Sequence, residues 1–266
     1  MSARKSLFHV WKIVLVYYIF SFCTIAIIFL WLGWQGAITL ALIELFLHIS
    51  WWIDLKSKLL KNLPSEFRCS PTHIEQFPGL DLDSLYRYND ILKPLGFIQV
   101  VDYRSETGTG FARVFAHPQH YCFADVFQVL PAGKQPLPMV CTIHSYLEND
   151  WKIVTTVVQP DGLNYMWRSN KTLWTYYKSA NPAELFQIHL ERRQKIIENL
   201  GLEILTDLSW EFYFIQEQKA SIKRRENFAR KNIVIALIEA TRFEMNPVSE
   251  WLGDYPKLAA RRRSRK

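Results

Sequence analysis

The chain has 266 residues, a length that suits one sizeable domain with an additional module. Its net charge of +7 is concentrated at the two ends, because residues 1–68 carry 7 Lys and Arg against 3 Asp and Glu, and residues 219–266 carry 13 against 5. That distribution argues against a broad nucleic-acid-binding face and fits contact with anionic lipid. The four cysteines are dispersed and one lies in an apolar run, which argues against a framework of two disulfides.

A long apolar segment follows the N-terminus. No Asp, Glu, Lys or Arg occurs from Ile13 to Ile43, and the apolar character continues to Ile53. One membrane crossing takes about 20 residues, so this stretch is long enough for two. The sequence Gly33-Trp34-Gln35-Gly36 supplies a turn between them. We therefore predict a transmembrane helical hairpin over residues 11–54, with helices over about 11–32 and 36–54.

The charges that flank the hairpin predict its orientation. Lys and Arg precede the first helix and follow the second, whereas the turn has none. By the positive-inside rule, the N-terminus (residues 1–10) and the C-terminal domain both face the cytoplasm, which makes the chain a two-pass integral membrane protein. A cleaved signal peptide is the alternative, but the apolar run is longer than such a peptide requires.

Two polar residues interrupt the second helix. Glu44 and His48 are four residues apart and therefore share one helix face. Ionisable groups inside a membrane are candidate functional residues, so this pair could relay protons or bind a partner helix. The structural alternative, which we favour, is a polar pair that bonds Ser21 or Thr24 of the first helix and fixes the hairpin.

A soluble α+β domain is predicted after the hairpin. Residues 55–80 form a linker, residues 81–256 the domain and residues 257–266 a basic tail. Asp81 or Asp83 caps a first helix, and Asn181, Pro182 and Gly201 delimit a later one. Between the two helices, closely spaced β-rich runs favour an antiparallel meander flanked by helices. The predicted strands are Phe97–Tyr103, Phe111–Ala116, Tyr121–Leu130, Met139–Leu147, Trp151–Val158 and a short last strand over Leu163–Arg168.

The helical remainder includes a second long helix over about Leu208–Glu244, with a possible break in its basic middle. No internal repeat accompanies these elements. The expected fold is thus a single sheet whose open face is covered by helices.

Histidines and cysteines form the densest chemical cluster, on neighbouring predicted strands. The best candidates for acid–base catalysis are His117 and His144, with His189 and the acidic residues Asp125, Glu148 and Asp150 as possible partners. Cys122 and Cys141 are possible nucleophiles, and with His120 the cluster could also bind zinc. However, Cys141 and His144 are three residues apart, so they point to opposite faces of a regular strand. The sequence therefore favours neither a metal nor a bound cofactor.

Two further groups are candidate binding residues. Trp167, Arg168 and Trp174 interleave aromatic rings with a cation, which is typical of stacking surfaces but also of packed elements. Arg261, Arg262 and Arg263 lie in the basic tail and could hold it to anionic lipid. Contact with nucleic acid or a ribosome is an alternative, and a tail that is simply solvated is another.

The function best supported by the sequence is a membrane-anchored cytoplasmic binding or interaction module, with the bilayer and a protein as possible partners. A membrane-tethered enzyme, of hydrolytic type, that uses the histidines of the meander is the alternative. No catalytic group has a diagnostic spacing, which is why binding is preferred.

Overall fold

The computed structural model of the protein describes residues 2–63, 66–105, 110–131, 133 and 135–264. The chain forms two compact units. The hairpin unit comprises Met1–Leu63, Pro160–Trp167 and Arg225–Pro247, and the sheet unit comprises Pro64–Gln159, Arg168–Arg224 and Val248–Lys266.

The N-terminal segment forms two long apolar helices in contact. Helix α1, Ser2–Asn62, is interrupted at Gly33, whose φ of 70° is a left-handed conformation that favours glycine. The segments Val14–Trp31 and Gly33–Lys61 are each long and apolar enough to cross a membrane. The break falls at Gly33 alone, so the predicted turn residues Trp34–Gly36 already belong to the second helix.

The two apolar helices meet through the predicted polar pair. The Ser21 hydroxyl donates a hydrogen bond to the Glu44 carboxylate, whereas the Thr24 hydroxyl bonds its own helix at the Phe20 carbonyl. The His48 ring contacts the rings of Tyr17 and Tyr18, at centroid distances of 4.8 and 4.7 Å. In each contact of Glu44 or His48 with the first helix, the two partners are nearly equally far from Gly33 along the chain. This is the pattern expected of two helices that fold back on each other at Gly33.

The hairpin unit has its own apolar core beyond the hairpin. Helix α1 continues to Asn62 through residues predicted as linker. Its last turns pack with α3, Gly162–Trp167, and α6, Ile233–Met245. Helix α3 covers the predicted strand Leu163–Arg168, so that prediction was wrong. The Asp161 carboxylate accepts the Asn164 amide at 2.8 Å, which starts a helix at this point.

The sheet unit contains eight strands in sequential order. Strands β1 to β6 form an antiparallel meander, β7 pairs in parallel with β6, and β8 pairs antiparallel with β7. This confirms the α+β class and the mostly antiparallel sheet. The strands are β1 Cys69–Pro71, β2 Ile98–Ser105, β3 Gly110–His117, β4 Cys122–Val129, β5 Val140–Leu147, β6 Trp151–Thr156, β7 Thr172–Tyr176 and β8 Glu250–Trp251.

Helices of the sheet unit begin and end largely where the capping residues predict. Asp81 caps α2, Leu82–Leu92, and Asn181 caps α4, Pro182–Leu200, which ends at Gly201 with a φ of 62°. The predicted second long helix is broken in its basic middle, which the prediction included as a possibility. Its two parts are α5, Trp210–Arg230, and α6, which starts anew because Asn232 caps it. Helix α7, Tyr255–Arg263, occupies most of the predicted tail, whose residues 265–266 lie outside the described chain.

Helices contribute to the apolar core on each face of the sheet. Helices α2 and α4 pack on the face that carries Phe115, Ala124 and Ile143. The opposite face carries Val114, Phe123 and Tyr146 and packs against Tyr213 of α5. Polar side chains on either face of these strands are therefore enclosed by helices.

We expect Asn181→Ala to loosen the first turn of α4, because the Asn181 side chain accepts the Ala183 and Glu184 amides, each at 3.0 Å. Losing such a cap costs about 1 kcal/mol, which corresponds to about fivefold faster hydrogen exchange at these two amides. Asn181→Asp, which keeps the acceptor, is the matched control. Unchanged exchange in Asn181→Ala would contradict the proposed cap.

Candidate functional site

The two leading catalytic candidates lie on opposite faces of the sheet. His117 is at the end of β3 and stacks against Phe186 of α4. His144 is on β5 and stacks against Phe123, on the face covered by α5. Strand alternation therefore does not bring His117 and His144 together, and it separates His144 from Cys141 as the sequence predicts.

The histidines on the α4 side are held by structural hydrogen bonds. His117 Nε2 lies 2.9 Å from the Leu95 carbonyl and its Nδ1 accepts the His120 amide at 3.3 Å. His189 bonds Ser145 through Nε2, at 2.9 Å, and Thr155 through Nδ1, at 3.0 Å. Both ring nitrogens of His117 and both ring nitrogens of His189 are therefore in hydrogen bonds. Burial, followed by the charges of Arg193 and Arg192, lowers the pKa of His189 to about 3, so its ring is neutral.

The candidate nucleophiles are enclosed thiols. Cys122 and Cys141 are buried in the core between the sheet and α4. Burial raises the pKa of Cys122 to about 12, and it raises the pKa of Cys141 further still. Both sulfurs are therefore protonated thiols at neutral pH, which disfavours nucleophilic attack.

A buried polar network occupies the α5 side of the sheet. Lys152 on β6 forms an ion pair with Glu217 of α5, and the Tyr146 hydroxyl donates to the same carboxylate at 2.5 Å. Beside them, the Tyr213 hydroxyl donates to Asp125 Oδ2 at 3.0 Å. His144 Nδ1 is 3.6 Å from that same oxygen, which is too long for a hydrogen bond.

The two carboxyl groups of this network are shifted in opposite directions. Burial raises the pKa of Asp125 to about 7. Burial also acts to raise the pKa of Glu217, but the adjacent Lys152 and the hydrogen bonds outweigh it and lower the pKa to about 2. Glu217 is thus the ionised partner of Lys152, whereas Asp125 holds a proton through mildly acidic pH. Burial, reinforced by Lys152, lowers the pKa of His144 well below its usual value.

An open groove of about 480 Å³ lies on the α4 side of the sheet unit. Arg193 is its half-buried cation, and Nη1 of this residue donates to the His120 carbonyl and to the Ser145 hydroxyl, at 3.2 Å for the latter. Burial and the charge of Arg193 lower the pKa of His120, so this imidazole is neutral at pH 7. The groove is lined by Gln119, His120, Tyr121, Arg193, Gln194, Ile197, Leu202, Glu203, Ile204 and Thr206.

His120 was predicted only as a metal ligand, and no pattern in the sequence indicates Arg193. The groove combines the β3–β4 turn, the second half of α4 and residues 202–206, which are far apart in the sequence. The backbone of the last segment pairs with the end of β5, where the Leu205 amide bonds the Tyr146 carbonyl at 3.0 Å. No spacing in the sequence indicates that convergence.

The remaining candidate binding residues have separate surroundings. Trp167 packs against Phe228 in the core of the hairpin unit. In the sheet unit, the Arg168 guanidinium lies 3.9 Å from the ring centroid of Trp251, and Trp174 stacks on Tyr176. These contacts are intramolecular packing, which was the alternative interpretation of this aromatic group.

The three arginines of α7 are not equivalent. Arg261 and Arg263 are exposed, whereas Arg262 is partly buried. A Cβ atom at Gly201 would lie 1.6 Å from Arg262 Nη1, so this guanidinium covers the C-terminus of α4, where a cation is favourable. Two of the three predicted lipid-binding arginines thus remain exposed.

We expect the stability of the chain to fall with rising pH through the titration of Asp125. Because its pKa is raised to about 7 in the folded chain, the folded state holds more protons than the unfolded state between about pH 4 and pH 7. Asp125→Asn removes this titration and keeps an acceptor for Tyr213. Its stability relative to the wild type should therefore rise across that range, by an amount on the order of a few kcal/mol.

Urea unfolding of the detergent-solubilised chain from about pH 4 to about pH 8 measures this difference. Asp83→Asn, at an exposed position on α2, is the matched control for losing a carboxylate. A constant difference between Asp125→Asn and the wild type would contradict the raised pKa.

Among the residues that the structure describes, no group of three or more His, Cys, Asp or Glu could hold a metal ion. No protein-family model, curated protein or solved structure matches the chain.

Proposed function

We propose that the protein is a membrane-anchored binding module, with the hairpin as its anchor and a ligand groove in its sheet unit. The anchor is supported by two apolar helices in contact and by the Trp51–Trp52 pair at the end of the apolar stretch. The cations on both flanks support a cytoplasmic location for both ends of the chain.

The groove at Arg193 carries the binding proposal. It places one guanidinium and one neutral imidazole beside the apolar side chains of Ile197, Leu202 and Ile204. A cation that is already half-buried attracts an anionic group more strongly than an exposed one. The ligand that fits this lining has a carboxylate or another anion joined to an apolar body.

The alternative, an enzyme that uses His117 and His144, has less support. Each of these rings is enclosed, and the two do not share a face of the sheet. The histidine that lines the groove is His120.

The anchor predicts that protease added to sealed vesicles with the cytoplasmic face outward removes tags from both ends of the chain. In a background with Cys23→Ser and Cys69→Ser, which removes the two native thiols that are not buried, Gln35→Cys should react with an impermeant maleimide only when the opposite face is accessible. Gln35 lies two residues after the break at Gly33, at the end of the hairpin that has crossed the membrane. Protection of the C-terminal tag, or labelling of Gln35→Cys from the cytoplasmic side, would contradict this topology.

The groove predicts that the chain binds benzoate, a carboxylate on an apolar ring, and that Arg193→Gln weakens this binding about tenfold or more. Isothermal titration of the full chain in phosphatidylcholine nanodiscs measures the affinity, with empty nanodiscs as the blank. Lys195→Gln is the matched control, since Lys195 is an exposed cation on the same helix.

Arg193→Lys, which keeps the positive charge, should retain part of the benzoate binding. This variant separates a lost charge contact from a disturbed fold. Equal affinities in the wild type and Arg193→Gln would exclude the groove as the site.

A further inference from the structure

Helix α6 of the hairpin unit carries apolar side chains on two sides. Its inner side chains, among them Ile233, Ala236 and Leu237, are buried in the core of the unit. On its outer side, Ile235 and Ile238 are 54% and 43% exposed. An apolar outer surface on the first two turns is unusual for a helix in contact with water.

The hydrogen bonds of α5 show where α6 begins relative to the second apolar helix. Arg225 Nη1 donates to the carbonyls of Leu60 and Leu63, at 2.6 and 2.7 Å. Further along α5, the Ala229 carbonyl accepts Lys56 Nζ at 2.6 Å. The end of α5 therefore runs antiparallel to the end of α1, toward its apolar part.

The junction between α5 and α6 lies close to the tryptophan pair. The Lys231 carbonyl, at that junction, also accepts Lys56 Nζ, at 2.8 Å. Lys56 follows Trp52 by one helical turn, which corresponds to about 6 Å along the axis. Trp52 packs against the same core as the buried side of α6. Because tryptophan favours the membrane–water interface, α6 begins near the level at which α1 leaves the bilayer.

We propose that the first two turns of α6 lie in the lipid interface, with Ile235 and Ile238 inserted among the acyl chains next to the headgroups. The cationic side chain of Arg230 is 81% exposed just before α6 and can reach the phosphate level. The partner is the bilayer that the hairpin crosses, so this contact rests on the proposed anchor. The chain then has a third, non-spanning membrane element in addition to its two helices.

The test places an environment-sensitive NBD label on single cysteines of the full chain in liposomes of phosphatidylcholine with a minority of phosphatidylglycerol. Cys122 and Cys141 are buried, and Cys69→Ser removes a partly exposed thiol. In this background, one chain keeps Cys23 as its labelled cysteine. The other chains carry Cys23→Ser together with one new cysteine, which is Ile235→Cys, Ile238→Cys or Ile98→Cys. Ile98, which is 60% exposed on the second strand of the sheet unit, is the matched apolar control.

We expect a nitroxide lipid labelled near its headgroup to quench Ile235→Cys and Ile238→Cys about threefold more than Ile98→Cys. Quenching no stronger than that of Ile98→Cys would overturn the proposal. Protection of Ile235→Cys from aqueous iodide without lipid quenching would also overturn it, since a protein would then cover this face.

The Cys23 reporter separates this inference from the anchor on which it rests. Cys23 is exposed on the first apolar helix, so a hairpin inside the bilayer exposes its label to a nitroxide deep in the acyl chains. Deep quenching at Cys23 without quenching at Ile235→Cys would refute the α6 contact alone. Absence of quenching at Cys23 would refute the anchor itself.

Discussion

The sheet unit depends on one constraint, which is that helices enclose polar positions on both faces of its central strands. Each charge carried by those strands therefore needs a partner inside the protein. Lys152 meets this need through Glu217 of α5, and on the other face Arg113 does so through Asp102, with two bonds of 2.7 Å. The same requirement accounts for His189, whose neutral ring bridges two hydroxyl groups. These titratable side chains therefore stabilise the interior of the sheet unit through contacts with one another and with hydroxyl groups.

The sequence predicted the elements that local rules determine. The boundaries of α4 follow from Asn181, Pro182 and Gly201, because a capping box and a left-handed terminal residue act within a few neighbouring residues. The central strands of the meander are also local, since each pairs with the next along the chain. Strands β7 and β8 escaped prediction because they are short and pair with partners distant in the sequence. The segment of α3 has β-rich residues, yet the Asp161 cap starts a helix there.

The chemical sites were less predictable than the elements. Alternation along β5 correctly separates Cys141 from His144. Whether His117 and His144 lie on the same face of the sheet depends on the register between their strands, which residue types alone do not reveal. Arg193 became visible only when the β3–β4 turn, α4 and residues 202–206 were seen to converge. Glu44 and His48 are an intermediate case. Their shared helix face followed from spacing, and their contacts with Ser21, Tyr17 and Tyr18 required the position of the first helix.

The interruption at Gly33 has a consequence for biogenesis. Because a single left-handed residue reverses the chain, the two apolar helices follow each other with no hydrophilic loop between them. A hairpin of this kind moves few polar groups through the acyl region during insertion, so the energetic barrier to translocation is small. The anchor proposed above would then let both helices enter the membrane together, without export of the sheet unit. In the proposed anchor, the position of this one glycine thereby limits how much polar chain has to cross the membrane.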